Sequence, residues 1–181
     1  MTTESAPRAG RTPHAARPVL RGRLVTLRAT VAADAPALLA ILDQPEVAEW
    51  WRRSEWERLD ESGAVSFTIV LNGAVAGCIQ YSEETDPDYF SAALDIFVAA
   101  SVHGRGVGGD AMRALLAWLI DGRGHHRLTV DPAAANARAI HVYEKLGFRR
   151  VGVLREYERV ADGSWRDALL MELLAGDFVR T

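Results

Sequence analysis

The spacing of hydrophobic and polar positions changes several times along the chain, and each spacing predicts a different element. Residues 23–28 alternate as a strand does, whereas residues 31–42 carry apolar side chains at the spacing of a helix with one buried side. Two further alternating runs, 65–71 and 75–81, flank Asn72 and Gly73, a strong signal for a tight hairpin. The first half of the chain is therefore predicted to hold a strand, a helix and an antiparallel hairpin.

The second half of the chain alternates strands with helices. Residues 94–98 form an apolar run interrupted by Asp95, and a glycine-rich loop at 103–109 precedes a helical pattern that reaches residue 119. A strand at 128–130, a helix at 135–145 and a closing hairpin of residues 151–160 and 168–174 follow. This order predicts one α/β domain of the α+β type, with a mixed, mostly antiparallel central sheet flanked by helices on both faces.

The glycine-rich loop is the first candidate for chemistry. Four of the six residues from 104 to 109 are glycines, so the backbone can turn tightly and approach a ligand closely. A helix that begins beyond such a loop directs N–H groups and its positive dipole end at one point, which favours a phosphate or diphosphate. Two alternatives stay open: a dinucleotide site on Gly104, Gly106 and Gly109 with Asp131 at the ribose, or a turn without a ligand.

Two motifs carry a resemblance to a known family. Residues 103–108 read His-Gly-Arg-Gly-Val-Gly, and Asn136, Ala139, Tyr143, Gly147 and Phe148 follow in the order Asn-x-x-Ala-x-x-x-Tyr-x-x-x-Gly-Phe. In these segments the chain closely resembles the GCN5-related N-acetyltransferases, with His103 where that family prefers Gln or Arg. The resemblance implies acetyl-CoA as cofactor, its diphosphate on the glycine loop, and a bulged central strand beside the pantetheine arm. The cofactor contacts expected on this basis are Ile96, Phe97, Val98, His103, Gly104, Arg105, Gly106, Val107, Gly108, Gly109, Asn136 and Ala139.

The expected reaction needs a group that accepts a proton and a group that donates one. An amine is cationic near neutral pH and must lose a proton before it attacks a thioester. Asp95 is the candidate, because a carboxylate within an apolar strand is costly to bury without a partner or a function; a buried ion pair with an arginine is the alternative. Strand alternation places Asp95 on the same face as Phe97.

Three further roles are expected near Asp95. Tyr143 occupies the position where the resemblance implies a general acid, with a packed aromatic residue on a half-buried helix as the alternative. Backbone N–H groups around Phe97 and Val98 are placed to stabilise charge on the former carbonyl oxygen. Asn136 is expected to contact the cofactor or to cap a helix.

A second resemblance concerns the acetyl acceptor, the amine that would receive the acetyl group. Residues 47–51, 83–87, 94–95, 129–132 and 136–140 look like segments of aminoglycoside 6′-N-acetyltransferases in the same order. This implies a small polycationic amine, whose ammonium groups would meet carboxylates and whose sugar face would meet a tryptophan. The substrate contacts expected on this basis are Trp50, Trp51, Glu83, Glu84, Asp86, Asp95, Asp131 and Asp162. The tryptophans could equally be core or a lid, and the acidic loop a solvated turn.

The end of the chain points to a different acceptor. Residues 153–157 and 167–171 resemble protein N-terminal acetyltransferases that modify ribosomal proteins. Three hypotheses about function therefore remain. The protein is an aminoglycoside 6′-N-acetyltransferase, an enzyme that acetylates a protein N-terminus or a small biosynthetic amine, or a CoA-binding module without turnover.

Composition and charge narrow the class of partner. The 181 residues are 49% hydrophobic and 25% charged, an ordinary globular balance for one domain. The formal net charge is −3, and three arginines in residues 1–18 leave the remainder more acidic, which argues against nucleic acid and for a cationic substrate. Residues 1–18 are expected to be a disordered tail that precedes an acetyltransferase domain at 19–181.

Cellular location is predicted from what the sequence lacks. Cys78 is the single cysteine, so no internal disulfide or cysteine metal cluster is expected. No apolar stretch reaches membrane-spanning length, and the start lacks a signal peptide, so we expect a cytoplasmic protein without a membrane partner. The chemistry needs no metal, and the oligomeric state, monomer or homodimer, stays open.

Overall fold

Eight strands form one mixed sheet in the computed structural model, which describes residues 17–53 and 63–181. The strand order is β1-β2-β3-β4-β5-β6-β8-β7, in which β5 and β6 are parallel and the other neighbours are antiparallel. The strands are β1 (Leu20–Arg21), β2 (Val25–Ala29), β3 (Val65–Leu71), β4 (Ala74–Glu84), β5 (Ser91–Val98), β6 (Arg127–Val130), β7 (Arg149–Arg159) and β8 (Trp165–Leu174). The predicted mixed, mostly antiparallel sheet is confirmed.

Helices cover both faces of this sheet. Within residues 17–53 and 63–181 they are α1 (Ala35–Leu42), α2 (Pro45–Ala48), α3 (Val107–Ala117) and α4 (Ala137–Leu146), and a π-helical turn, Trp118–Gly122, continues α3. On one face, Tyr81 of β4 meets Trp118 with ring centroids 5.6 Å apart. On the other face, Phe97 of β5 meets Trp51, which follows α2, at 5.1 Å. The two faces are distinct because Tyr81 pairs with Leu94, three positions before Phe97, and side chains alternate along a strand.

Local sequence signals account for several boundaries. Asn72 and Gly73 have φ values of 50° and 82°, the positive pair that a two-residue hairpin requires, so the predicted hairpin is confirmed. The predicted helix at 31–42 begins with a 3₁₀ turn, Ala32–Asp34, before α1. The carboxylate of Asp34 accepts from the backbone N–H of Val31 and forms two hydrogen bonds with Arg28, which fixes this start.

A long-range contact explains why the first predicted strand, residues 23–28, begins only at Val25. Residues 22–24 separate β1 from β2, and the carboxylate of Asp110, in the first turn of α3, accepts from the backbone N–H groups of Arg23, Leu24 and Val25 at 2.7–3.0 Å. Asp110 is 5% exposed, so these bonds compensate the cost of burying its charge. The turn and the start of α3 are thereby tied together.

The predicted bulge of the central strand lies elsewhere. Strand β5 pairs with β4 in regular register from Ser91 to Val98, which corrects the expectation of a bulge there. The shift in this region falls between β3 and β4, where Ile69 pairs with Gly77 and Val70 with Val75. A second irregular region interrupts the pairing of β7 with β8.

The N-terminal segment is described only in part. Residues 1–16 of the predicted tail lie outside the described residues. Arg17 lies within them, and its guanidinium donates to the carbonyl of Ser66 at 3.0 Å. Among the described helices, none has the length and apolar character needed to cross a membrane.

Candidate active site

A cavity of about 350 Å³ lies where β5 and β6 stop pairing. The last paired residues are Ala93 and Thr129, beyond which the two parallel strands follow separate courses. Asp95 lies two positions beyond Ala93, and Asp131 lies two positions beyond Thr129. Both carboxylates line the cavity, so equivalent positions on two separating strands bring together residues that are distant in sequence.

Tyr143 on α4 lines the same cavity and is 6% exposed. Burial raises the pKa of Tyr143 well above its usual value, and the charges of Asp95 and Asp131 raise this pKa further. The phenol therefore keeps its proton throughout the physiological pH range. It is available as a hydrogen-bond and proton donor in a cavity that also holds two carboxylates.

Asp95 is half-buried on the cavity side of β5. Its Oδ1 accepts from the backbone N–H of Ile96 at 2.9 Å, a contact that restrains the carboxylate relative to its own strand. The regular pairing of Asp95 with Gln80 and of Phe97 with Cys78 keeps Asp95 and Phe97 on one face, as strand alternation predicted.

The backbone of β5 presents alternate residues to the cavity. The carbonyl of Ile96 accepts from the indole of Trp51 at 3.1 Å, and the carbonyl of Val98 contacts His103 Nε2 at 3.1 Å, so both carbonyls face away from β4. In a strand, the N–H and C=O of one residue point to the same side. Of the two amides predicted to stabilise charge, the N–H of Val98 is therefore directed toward the cavity and that of Phe97 toward β4.

The glycine-rich loop ends in an α3 N-terminus suited to an anion. Gly104 and Gly106 have φ values of 71° and 78°, which glycine adopts without strain, and Gly106 is the N-cap. The first hydrogen bond of α3 joins Asp110 N–H to the carbonyl of Gly106 at 2.9 Å, so the N–H groups of Val107, Gly108 and Gly109 precede the helical ladder. A Cβ at Gly108 would meet nothing within 4 Å, so this first turn is open to a ligand. The loop therefore fits a diphosphate.

His103 is held in one tautomer beside this loop. The guanidinium of Arg138 can only donate, so Nδ1 of His103, at 2.5 Å from it, accepts. Nε2 then carries the proton and donates to the carbonyl of Val98. His103 thus joins β5 to α4, the two elements that border the cavity.

The remaining predicted cofactor residues divide into two groups. Asn136 and Ala139 line the cavity, and Asn136 Oδ1 accepts from the N–H of Ala139 at 3.1 Å as the N-cap of α4. The capping role left open by the sequence is therefore present, and the amide nitrogen of Asn136 is left for a ligand. The others, Gly104, Arg105, Gly106, Val107 and Gly109, form the loop and the first turn of α3 beside the cavity.

Trp50 and Trp51 differ in burial and in their contacts. Trp51 is 8% exposed, packs edge-on against Phe97 and donates to β5, so it belongs to the core as much as to the cavity wall. Trp50 is half-buried and lies under the guanidinium of Arg166 at 5.6 Å. Arg166 also donates to the carbonyls of Glu49 and Trp50 at 2.7 and 2.9 Å. This arginine fixes the tryptophan segment to β8.

The structure places Glu83 away from the cavity. Glu83 forms an ion pair with Arg123 at 2.8 Å, and its Oε1 lies 2.7 Å from Nε2 of His125, which stacks on Phe90. Alternation along β4 puts Glu83 on the face of Tyr81, opposite to Asp95. We therefore withdraw Glu83 from the candidate site.

Three other predicted acceptor contacts form turns at the surface. Glu84 accepts from the N–H of Asp86, and Asp86 accepts from the N–H of Asp88, both at 2.9 Å. Asp162 accepts from the N–H and hydroxyl of Ser164 at 2.9 and 2.7 Å in the β7–β8 turn. These carboxylates are exposed and do not line the cavity, so we withdraw them as well.

The cavity also contains residues that the sequence analysis missed. Glu46 of α2 and Glu158 of β7 bring the lining carboxylates to four, and Tyr157 adds a second phenol to Tyr143. Their sequence signal is weak, because residues 151–160 are predicted only as part of a closing hairpin and Glu46 follows Pro45, which ends the predicted helix. Only the packing of α2 and β7 against the separating strands brings them into the site.

The comparisons with known proteins agree with this arrangement. Residues 34–148 match the family model described as the acetyltransferase (GNAT) family. The chain therefore belongs to this family, and it is an acetyl-CoA-dependent N-acetyltransferase. The predicted family, enzyme class and cofactor are confirmed.

Relatives with two different acceptors are similarly close. An aminoglycoside N(6′)-acetyltransferase type 1 of Klebsiella pneumoniae is 30% identical over 155 residues, which span 72% of this chain and 76% of that enzyme. A ribosomal protein bS18-alanine N-acetyltransferase of Escherichia coli (strain K12) is 30% identical over 152 residues, spanning 82% and 96%. The solved structure of aminoglycoside acetyltransferase AAC(6′)-Ib in complex with coenzyme A is 28% identical, covers 87% of this chain and 98% of that one, and gives a TM-score of 0.70.

Proposed function

We propose that this enzyme acetylates a primary amine of a polycationic aminosugar, namely the 6′-amine of an aminoglycoside. The observation that carries the proposal is the set of three carboxylates that line one cavity, Glu46, Asp95 and Asp131. A fourth lining carboxylate, Glu158, forms an ion pair with Arg166 at 2.7 Å and is not counted. Several carboxylates around one cavity favour a ligand with several ammonium groups. The half-buried Trp50 adds an aromatic surface suited to a sugar face or an ammonium group.

In this proposal one side chain accepts a proton from the amine and another donates a proton to the leaving thiolate. Acetyl-CoA, when bound, supplies the acetyl group as a thioester, and the loop from His103 to Gly109 with the first turn of α3 would hold its diphosphate. Asp95 orients the acceptor ammonium and takes its proton on a carboxylate oxygen, directly or through water. Tyr143 keeps a proton on its phenol oxygen at physiological pH, the state required to protonate a departing thiolate. The N–H of Val98 supplies a donor for charge on the carbonyl oxygen.

A second candidate acceptor is the N-terminus of a protein. It is favoured by the bS18-alanine N-acetyltransferase relative, of which this chain spans 96%. A small biosynthetic amine would meet the same carboxylates. A CoA-binding module without turnover is disfavoured, because Asp95 and Tyr143 lie in one cavity.

The test is thiol release from acetyl-CoA by the purified full-length protein, with kanamycin, tobramycin and a panel of alanine-first peptides as acceptors. We expect turnover with the aminosugars, and mass spectrometry with NMR should place the acetyl group on the 6′ nitrogen. Turnover with peptides and none with aminosugars would replace the proposal with the second candidate.

A further inference from the structure

The edge strand β7 contains a distortion directly before a cavity residue. Its pairing with β8 is interrupted between Leu154, which pairs with Ala168, and Glu158, which pairs with Arg166. Within this interruption Glu156 has a φ of 49°, in the left-handed region that residues with a Cβ rarely adopt. Such a conformation persists only where surrounding contacts enforce it, and it occurs often at functional sites.

The contact that enforces it comes from Asp167 on β8. Asp167 Oδ1 accepts from the backbone N–H of Glu156 at 2.8 Å, which stabilises the left-handed residue. The backbone carbonyl of Asp167 accepts from the N–H of Ala134 at 2.9 Å, and the N–H of Leu169 donates to the carbonyl of Pro132 at 2.8 Å. The same stretch of β8 therefore holds both the distortion in β7 and the segment that follows Asp131.

Tyr157 follows the distorted residue and lies in the cavity. The Asp131 carboxylate lines the same cavity, and its interaction with the Tyr157 hydroxyl is the main cause that raises the pKa of Tyr157 to about 12, with burial second. The phenol therefore keeps its proton at physiological pH and can donate it to this carboxylate. Tyr157 is 52% exposed, so packing alone does not fix its ring, and its place in the cavity depends on the distorted backbone that precedes it.

We propose that Tyr157 is a further acceptor-binding residue, which forms one ammonium site with Asp131, and that Asp167 is the positioning residue for Tyr157. The inference rests on the proposed function, because it assigns part of the same acceptor site. A phenol that donates to one carboxylate oxygen keeps its own lone pairs, and the second carboxylate oxygen stays free to accept. An ammonium group, with three N–H donors, can then bind the phenol oxygen and the carboxylate together.

Arginine in place of Tyr157 would form an ion pair with Asp131 and neutralise it. The phenol orients the carboxylate and leaves its negative charge available to the acceptor. The assignment therefore predicts an effect on acceptor affinity, with little effect on the chemical step or on acetyl-CoA.

The first experiment compares Tyr157→Phe with the wild type. We expect the aminosugar KM to rise roughly tenfold to a hundredfold, the range for a lost hydrogen bond in a charged site, with kcat and the acetyl-CoA KM changed less than about threefold. Tyr89→Phe is the matched control, since Tyr89 is exposed and lies outside the cavity, and it should match the wild type. An unchanged aminosugar KM in Tyr157→Phe would remove Tyr157 from the acceptor site.

The second experiment tests whether Asp167 acts through Tyr157. Asp167→Ala should raise the aminosugar KM about as much as Tyr157→Phe, and the double variant should be no worse than either single variant, because Asp167→Ala displaces the same hydroxyl that Tyr157→Phe removes. Asp167→Asn keeps an oxygen that can accept from Glu156 N–H and should restore most of the affinity. Additive effects in the double variant would refute the positioning role.

Substitutions at Glu156 test the backbone conformation itself. Glycine adopts positive φ without strain, so Glu156→Gly should keep the wild-type KM, whereas Glu156→Val should reproduce the defect of Asp167→Ala. Equal KM values for the two variants would show that the left-handed conformation does not position Tyr157. Circular dichroism and the acetyl-CoA KM would identify a variant that has simply unfolded.

The experiments can distinguish failure of the Tyr157 assignment from failure of the proposed function. If the wild type turns over aminosugars and Tyr157→Phe leaves their KM unchanged, the inference fails and the proposed function stands. If the wild type turns over no aminosugar, the proposed function fails, and the inference fails with it as an aminosugar site.

Discussion

Two acidic regions on opposite faces of the sheet illustrate how the partner of a carboxylate decides its role. On one face, Glu83 meets the guanidinium of Arg123 at 2.8 Å and the ring of His125 at 2.7 Å. On the other face, Asp131 lines the cavity together with Tyr157. An arginine neutralises a carboxylate, whereas a phenol orients it and leaves its charge. The sequence did not distinguish Glu83 from Asp131, and only the structure shows that Glu83 is paired with an arginine whereas Asp131 lines the cavity.

The largest effect should come from Asp95, the cavity carboxylate that we propose as the proton acceptor. Asp95→Asn keeps the shape of the side chain but removes the proton acceptor, so kcat should fall roughly 10²- to 10⁴-fold. Coenzyme A affinity, measured by calorimetry, should change little. Glu84→Gln is the control from outside the cavity and should keep the wild-type rate. A wild-type kcat in Asp95→Asn would exclude Asp95 from the mechanism.

Tyr143 and Tyr81 provide a matched pair of buried phenols on the two faces. Burial raises the pKa of Tyr81 to about 12, and it lies on the face opposite to the cavity. Tyr143→Phe should slow the chemical step by about 10²-fold, because it removes a proton donor from the cavity. Tyr81→Phe should leave single-turnover rates unchanged. Equal rates for both variants would reduce Tyr143 to a packing residue.

Asp34 extends the comparison to a carboxylate that is buried and paired with arginine. Arg28 holds the pKa of Asp34 well below its usual value, and bonds from Val31 and Thr68 contribute. A depressed folded pKa means that this stabilisation is fully present above the unfolded pKa, about 4, and is lost as the pH falls toward the folded value. Urea unfolding between pH 7 and pH 3 should show falling stability.

The variant Asp34→Asn isolates this contribution. Its stability should be lower by about 2 kcal/mol at pH 7 and should depend less on pH below 5, since the titrating group is absent. A pH profile parallel to that of the wild type would assign the acid sensitivity to other groups.

Asp131→Asn should separate binding from stability. The amide keeps the shape but removes the charge, so the aminosugar KM should rise about tenfold while the urea midpoint stays the same. The double variant with Tyr157→Phe should add little, because both residues form one site. A loss of stability with an unchanged aminosugar KM would show that Asp131, like Glu83, has a structural role.

The smallest effect is expected for Glu83→Gln. Because Arg123 is 43% exposed, water screens the ion pair, and the loss should be about 1 kcal/mol of unfolding free energy with unchanged kinetic constants. Chemical unfolding and the aminosugar KM should be measured on the same preparation. A raised KM would return Glu83 to the acceptor site.

Signals between chain neighbours made much of the fold predictable. The hairpin at Asn72 and Gly73, the loop before α3 and the N-cap at Asn136 depend on backbone preferences within a few residues. The alternation of side chains along β5 also predicted correctly that Asp95 and Phe97 lie on the same face of the sheet. For the same reason, one motif sufficed to place Tyr143 on the cavity side of α4.

The remaining features depend on residues far apart in the chain. Asp110 binds backbone groups 85 to 87 positions away, and Glu83 meets a histidine 42 positions away. The left-handed Glu156 exists because Asp167 from the neighbouring strand accepts its N–H. No local pattern encodes these partners, since strand register and sheet order determine which side chains meet.

The sequence alone determined the family and the cofactor and led to the proposal of Tyr143, because these depend on short motifs with fixed spacing. It also led to the proposal of Asp95, because a carboxylate within an apolar strand is costly to bury without a partner or a function. The tertiary structure decided which carboxylates line the cavity. A side chain's access to a cavity depends on the side of the sheet it occupies and on the partner it finds there, and both are set by contacts across the whole domain.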